Sequence, residues 1–554
     1  MEPHTTEEHQ RIKENYSNER NWLKWGPYLS ERQWATVRED YSADGDAWNY
    51  LTHDQARSKA YRWGEDGIAG ISDDHQRICF SIALWNGKDE ILKERLFGLT
   101  PGQGNHGEDV KELYYYLDNT PTHSYMKYLY KYPQLAFPYR DLEQINRNMT
   151  RHEDEFELAD TGIFNDGRYF DVYTEYAKSD DEDICIRISI HNRSAACAPI
   201  TLLPTVWLRN TWSYALTPRK PVIRLAEANS ANYELKISHP DLGDYSFYCQ
   251  NPNTILFTEN ETNTDRLFNM PNKTPFVKDA FHDAVLKQDF TFLTNKTGTK
   301  CSPLFYFNVA SAGFVTVKLR LSNRTLTDPL GEGFDLVFSR RAKEADDFYD
   351  AIIKSKNEDL RRIQRQAFAG MLWNKQFYSL DIPSWLNGDP KGSVPPPERK
   401  NGRNSDWHTL NNEDILSMPD KWEYPWYATW DLAFHCIPIA RIHPQFAKDQ
   451  LLLLLREWYM NPYGQLPAYE WSFGDVNPPV HAWACMEVYK IDKERTGVPD
   501  TLFLERTFQK LLINFTWWVN RKDRLNNNVF EAGFLGLDNI GVFDRNKIPG
   551  GGIL

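Results

Sequence analysis

The chain has 554 residues, a net charge of −13 and no low-complexity tract. It is long enough for about three to four average domains or two large ones, and it has no basic run of the kind that marks a nucleic-acid surface. No apolar run approaches the ~20 residues that span a bilayer, so neither a nucleic acid nor a membrane is expected as a partner.

The start, MEPHTTEEHQRIKENYSNER, is polar and acidic. It has neither the apolar core of a signal peptide nor the basic character of a transit peptide. The seven cysteines are an odd number, scattered from Cys79 to Cys485 without a CxxC pair. That pattern suggests reduced, mostly buried thiols and a cytoplasmic protein. Aromatic residues make up 14%, with 19 Trp and 29 Tyr. Rings with an apolar face and a polar tip suit sugar stacking, and aromatic cores give the same count.

Residues 18–70 mix Trp22, Trp25, Trp34, Trp48 and Trp63 with charges. They are expected to pack as an irregular segment on something larger; a cleft wall is the alternative. From about 70 to 335 the reading is a β-sandwich. Ile184, Ile186, Ile188 and Ile190 alternate with polar residues, as do Val315, Val317, Leu319 and Leu321. Strict alternation puts every second side chain on one face of a half-buried strand. Similar runs occur at 169–176, 200–208 and 254–258, separated by Asn, Asp, Gly and Pro.

Beyond about 340 the period changes. Ser339–Lys356 is helix-like, and Leu360, Ile363, Ala367 and Met371 share one helical face. Ser384–Lys421 reads as a long excursion rich in Pro, Gly, Asn and Asp. Helices then return. Phe446–Tyr459 is apolar nearly all round, so both faces are expected to be covered. His481–Lys490 is a short candidate. Leu504, Phe508, Leu511, Leu512, Phe515 and Val519 mark an amphipathic helix. Between the helices lie loops that combine aromatics, Gly or Pro and a carboxylate: WEYPWYATWD, NPYGQLPAYEWSFGDVNPP and FEAGFLGLDNIGVFDR. In the last, a carboxyl between Leu537 and Ile540 can be desolvated towards the pKa of a general acid. The alternative is that Asp538-Asn539 caps a helix or makes an Asx turn.

With YSADGDAWNYLTHDQARSKAYRWGEDGIAG, YPWYATWDLAFH and EAGFLGLDNIGVFDR, the chain resembles glycoside hydrolase family 63. The likeness is to its bacterial-type glucosidase and mannosylglycerate-hydrolase-like branch. The resemblance implies a multidomain β + α fold. A Trp-rich segment (1–70) and a β-sandwich (70–335) precede the first half of a six-hairpin α/α toroid (340–554). It implies an inverting glycosidase, similar to mannosyl-oligosaccharide glucosidases, acting on α-linked gluco- or manno-oligosaccharides or small glycosides without a cofactor or metal. Gly536-Leu537-Asp538 matches the family's acid motif, which makes Asp538 the general acid. Trp430-Asp431 resembles the element that holds the −1 sugar, and Asp431 alternatively caps the helix that continues through Leu432 and Phe434. Tyr424, Trp426, Phe434, Tyr469, Trp471, Glu531 and Asn539 are the remaining substrate-binding candidates. Asp431 and Asp538 are expected in one pocket, within roughly 10 Å. The family's base comes from a late toroid loop, so the chain is expected to be truncated within its catalytic part and to turn over little or no substrate.

Two other classes compete with this reading. A carbohydrate-binding protein without turnover keeps the sugar contacts and lacks the base. A metal enzyme is disfavoured, because His408, His435, His443 and His481 have no paired-ligand spacing. Gly550–Gly552 is not followed by Lys-Ser/Thr and cradles no phosphate.

Overall fold

A computed structural model describes residues between 5 and 521, leaving out 37–46, 101, 105–108, 151, 227–231, 292–294, 391–393, 403, 425, 470–472 and 474–475. The amino-terminal part is rich in β-structure and the carboxy-terminal part is helical.

Two antiparallel sheets carry the first part. One has six strands, in the order 25–26, 68–73, 78–85, 198–208, 300–309 and 254–258. The other has nine, in the order 297–298, 222–225, 232–239, 243–250, 314–322, 183–192, 169–180, 125–133 and 114–119. The two alternating segments of the sequence are direct partners. Val315 lies opposite Ile190, Val317 opposite Ile188, Leu319 opposite Ile186 and Leu321 opposite Ile184. Matching periods place all eight apolar side chains on one face, and that face meets the other sheet. Phe80 of the six-stranded sheet touches Tyr176 and Phe247 of the nine-stranded one, with ring centroids 6.1 and 5.8 Å apart. One continuous apolar core joins the inner faces.

The outer faces are covered as well, which is why several strands are buried along nearly their whole length. Phe281, Ala284 and Val285 of the short helix Ala280–Leu286 pack on Ala83, Leu203, Leu256 and Leu304 of the six-stranded sheet. Helix α2 (Glu332–Ile352), which follows α1 (Glu7–Tyr16), lays Phe334 and Phe338 on Tyr125, Cys185 and Tyr248 of the other. Arg320, on the face under α2, is held by Asp183 through paired contacts of 2.7 and 2.5 Å.

The amino-terminal segment is stitched in by buried charges. Glu8 of α1 accepts from the Thr122 N–H and hydroxyl at 2.7 Å each and pairs with Arg11 at 2.9 Å. Lys178 donates to the carbonyls of Trp22, Trp25 and Thr122. Trp22, Trp25, Trp34 and Trp63 are all buried.

The helical part runs through α3 (Glu358–Trp373), α4 (Thr429–Ile439), α5 (Pro444–Leu454), α6 (Val480–Thr496) and α7 (Thr501–Asn520). Among the described residues the helices do not amount to six hairpins. Three sequence expectations need correction. The excursion 384–421 ends in a strand, Asn411–Ser417, which pairs with Lys375–Asp381. Its sequence is too polar to read as one; it is held by the Gln450 side chain, which bonds the Ser417 N–H and the Ile415 carbonyl. On α3, Leu360 and Ile363 are exposed, and the buried residues are Phe368, Ala369, Leu372 and Trp373. On α7 much of the apolar stripe faces outward: Phe508 is 67% exposed and Phe515 60%, while Leu511 packs against the helical core. The inward face is Phe503, Thr507, Asn514 and Trp518. Asn514 donates to the Gly464 carbonyl at 2.9 Å, and the loop comes so close that a Cβ on Gly464 would meet the Ile513 side chain at 2.9 Å. That polar latch, together with Phe503 and Trp518, fixes which face of α7 turns inward.

Candidate functional site

The loop that leads into α4 is gripped from the β part. Lys421 is fully buried and donates to the carbonyls of Leu29 (2.7 Å) and Pro27 (3.1 Å), with Glu31 3.6 Å away. The Lys421 carbonyl in turn accepts from the Ser30 hydroxyl. Burial pushes the Lys421 ammonium down and the Glu31 carboxyl up, each opposed by the attraction of the other. Arg32 lies over Trp34 at 3.8 Å and over Trp422 at 5.7 Å, and the Trp422 indole donates to the Tyr114 hydroxyl at 3.0 Å. Asp420 folds back as an Asx turn, accepting the N–H groups of Trp422 (2.7 Å) and Glu423 (3.1 Å). Burial, with added repulsion from Glu31 and Glu423, nevertheless raises its carboxyl to about 7. A carboxyl of that kind can take up or release a proton near neutrality.

From this anchored base the aromatic candidates run outward. Tyr424 is held by Gln376, whose side-chain amide donates to its carbonyl at 2.7 Å. The Tyr424 and Trp426 rings lie 6.0 Å apart, and Trp426 and Tyr469 6.4 Å apart, so these three form one chain of rings. Trp430 and Phe434 belong to a second set along α4: they are 6.1 Å apart, and Phe434 meets Trp483 of α6 at 5.5 Å. Asp431 does not cap α4; Ala428 holds that position and Asp431 lies in the first helical turn. An acid there is favoured by the helix dipole. Trp471, Glu531, Asp538 and Asn539 lie outside the described residues, and so does the expected approach of Asp431 to Asp538.

A small pocket opens beside Trp430. Its walls are Thr429 and Trp430 at the start of α4, Leu466, the Asn477-Pro478-Pro479 entry to α6, His481 in its first turn, and Asn514 and Trp518 of α7. The Thr429 hydroxyl and N–H bond the carbonyls of Pro467 and Ala468, which pins the loop to α4. Two polar side chains here are buried with an unpartnered atom. Among the described residues, Asn477, 7% exposed, leaves its Oδ1 without a donor, and His481, 4% exposed, leaves its Nδ1 without a partner. The other His481 nitrogen, Nε2, lies 2.9 Å from the Leu451 carbonyl. Sequence reasoning considered His481 only as a metal ligand and did not single out Asn477, because neither belongs to a catalytic motif. The Pro-Pro pair before an apolar stretch was the available signal, since it marks a helix start and brings Asn477 and His481 to the same end of α6.

Two acidic clusters elsewhere have the composition of cation sites. In one, Lys111 already sits among Asp109 (2.7 Å), Glu155 (2.6 Å) and Glu157 (3.0 Å). In the other, Asp73 accepts the Ile78 N–H at 2.8 Å and the His75 N–H and Arg77 at 3.2 Å each, and Asp74 pairs with His75 at 2.9 Å. Both sets of carboxylates have cationic or N–H partners within the chain. No helix among the described residues is long and apolar enough to cross a membrane.

Comparison with known proteins adds the following. An uncharacterized protein of Saccharomyces cerevisiae is 49% identical over 99% of this chain, and the chain spans 55% of that protein's length. Among solved structures, a putative kojibiose phosphorylase from the human microbiome aligns with 67% of this chain and 46% of its own, at 9% identity and a TM-score of 0.23. A galactose mutarotase related enzyme from Lactobacillus acidophilus aligns with 47% of this chain and 96% of its own, at 10% identity and a TM-score of 0.18. Residues 424–532 match the model of the mannosylglycerate hydrolase MGH1-like glycoside hydrolase domain. Over that stretch, which contains most of the first two aromatic loops, Asp431 and the pocket beside Trp430 and ends before Asp538, the chain is glycoside-hydrolase-like.

Proposed function

We propose that this protein is an inverting glycoside hydrolase of the family 63 type, acting on α-linked gluco- or manno-oligosaccharides. The observation that carries the reading is the match of residues 424–532 to a glycoside hydrolase domain, within which three aromatic side chains line up from Tyr424 to Tyr469. Rings of this type offer apolar faces to the C–H faces of pyranoses. In this reading Asp538 is the general acid that protonates the glycosidic oxygen. Trp430 and Asp431 hold the −1 sugar, a carboxylate being able to accept from two hydroxyls. Tyr424, Trp426, Phe434, Tyr469, Trp471, Glu531 and Asn539 line the substrate's path. Residues 70–335 then serve as a β-sandwich domain, 1–70 as the segment that packs on it, and 340–554 as toroid helices.

The test is proton NMR of the anomeric signals while α-linked gluco- and manno-oligosaccharides are incubated with the protein. Release of the β-anomer first by a version extended through the complete toroid, abolished there by Asp538→Asn, is the expected result. Release with retained configuration, or unchanged turnover in Asp538→Asn, overturns the assignment. Tight binding without any turnover makes the protein a carbohydrate-binding one instead.

A further inference from the structure

We propose that one buried water molecule bridges Glu65 and Lys278 and completes an ion cluster that fastens the Trp-rich segment to the six-stranded sheet. Glu65 and Asp66 are the acids of the stretch YRWGEDGIAG, which no step of the proposed hydrolysis uses. They line a small cavity together with Glu94, Arg95, Lys278 and Lys300. All six are buried, none more than 8% exposed. Three carboxylates thus face three cations. Two of the pairs are direct: Arg95 meets Asp66 at 3.1 Å, and Lys300 meets Glu94 at 2.8 Å. The third is not. Glu65 and Lys278 share the cavity, and among the described residues no ion pair joins them. Lys278 gives one hydrogen to the Lys59 carbonyl at 2.5 Å and lies over the Tyr61 ring at 3.8 Å. An ammonium carries three hydrogens, so one remains.

Asn260 indicates what sits between them. Its side-chain amide donates to Glu65 and to the Leu208 carbonyl, at 3.0 Å each, so both amide hydrogens are used and the orientation is set. Its Oδ1 receives no hydrogen bond, in a residue that is 1% exposed and lines the same cavity. An acceptor, a carboxylate and an ammonium around one space are the three partners that a buried water typically keeps. The water gives its hydrogens to Asn260 Oδ1 and Glu65 and accepts one from Lys278. The size agrees: about 20 Å³ is open to the centre of a water-sized sphere, and one water needs about 10–15 Å³ by that measure. Burial raises the Glu65 carboxyl and lowers the Lys278 ammonium, each opposed in part by the attraction of the other. The bridge lets these charges interact across a gap that they do not close directly. Strand 78–85 gives Ser81 and Ala83 to the wall, strand 198–208 gives Thr205 and Trp207, and strand 300–309 gives Lys300. The acids of YRWGEDGIAG therefore act in assembly rather than in catalysis.

The test is a crystal structure of the unmutated protein at a resolution that shows ordered water. The expected result is one peak in this cavity, within about 2.7–3.2 Å of Asn260 Oδ1, a Glu65 carboxylate oxygen and Lys278 Nζ. An empty cavity, a direct contact between Glu65 and Lys278, or a peak that misses either of them overturns the bridge. Urea unfolding of Glu65→Gln, Lys278→Met and the double variant gives a second readout. Each single variant is expected to raise the unfolding constant about a hundredfold or more, because it leaves one buried charge without its partner. The double variant should raise it no further than the larger single, since both charges leave together. Losses that multiply in the double variant overturn the coupling whatever the crystal shows. Should a single variant fail to fold, the water peak alone decides.

Discussion

Asp420 offers a quantitative test of the interface that anchors the aromatic loop. Its carboxyl rises from an ordinary 3.8 to about 7, first because burial penalises the charge and then because Glu31 and Glu423 repel it. A rise of that size corresponds to about 4 kcal/mol against the ionised form. Asp420 keeps part of its surface in water, so about half of this, ~2 kcal/mol, is expected. The sign follows from proton binding: between pH 3.8 and about 7 the folded protein holds a proton that the unfolded chain has lost. Stability contributed by this residue therefore falls as pH rises through that window and is level above it. Asp420→Asn keeps the oxygen that accepts the Trp422 and Glu423 N–H groups and removes the charge. The variant should match the unmutated protein near pH 4, gain stability as pH rises through the lower part of that window, and exceed it by about 2 kcal/mol at pH 8. Urea unfolding followed by tryptophan fluorescence at pH 4, 5, 6, 7 and 8 measures the gap. A gap that does not change with pH, or an Asp420→Asn protein less stable at pH 8, would refute the account.

Two further outcomes follow from packing. Trp373 is fully buried, stacks on Tyr116 with centroids 5.4 Å apart, and donates to the Asp118 carbonyl at 2.9 Å. Trp373→Ala should cost about 3–5 kcal/mol in the same urea assay, and a loss under 1 kcal/mol would mean that the contact between α3 and the nine-stranded sheet is not tight. The outward stripe of α7 gives the opposite expectation: Phe508→Glu with Phe515→Glu should change stability by no more than about 0.5 kcal/mol per site and reduce aggregation by light scattering. Destabilisation of several kcal/mol would show that this stripe is covered in solution.

The β part was legible because period two is a strong signal when both partners carry it. Ile184–Ile190 and Val315–Leu321 announce their inward faces independently, and the register then pairs them residue by residue. The strand Asn411–Ser417 was not legible, since most of its residues are polar and its pairing depends on Gln450, more than thirty residues away. Helix α7 shows the limit of period 3.6. The pattern identifies an apolar face, but the latch from Asn514 to Gly464, with buried Phe503 and Trp518, sets which face turns inward. The same holds at the candidate site. Tyr424, Trp426 and Tyr469 were visible by composition, and the structure connects them. Asn477 and His481 carry no motif, and that each buries a polar atom without a partner among the described residues shows only in three dimensions.

The grip of Lys421 on Pro27 and Leu29 bears on how this chain can be divided. A cut between Ser322 and Glu332, where strands give way to helices, looks natural in sequence. It would strand a buried ammonium without its carbonyls and leave Lys375 without the Pro121 carbonyl and the His123 imidazole that it meets across the same seam. Residues 27–31 act as mortar between the two parts, and the helical part expressed alone would turn two otherwise buried lysines and the surface around them out to water. Fragments of this protein for crystallisation or screening should keep residues from α1 onward together with the helices they bind.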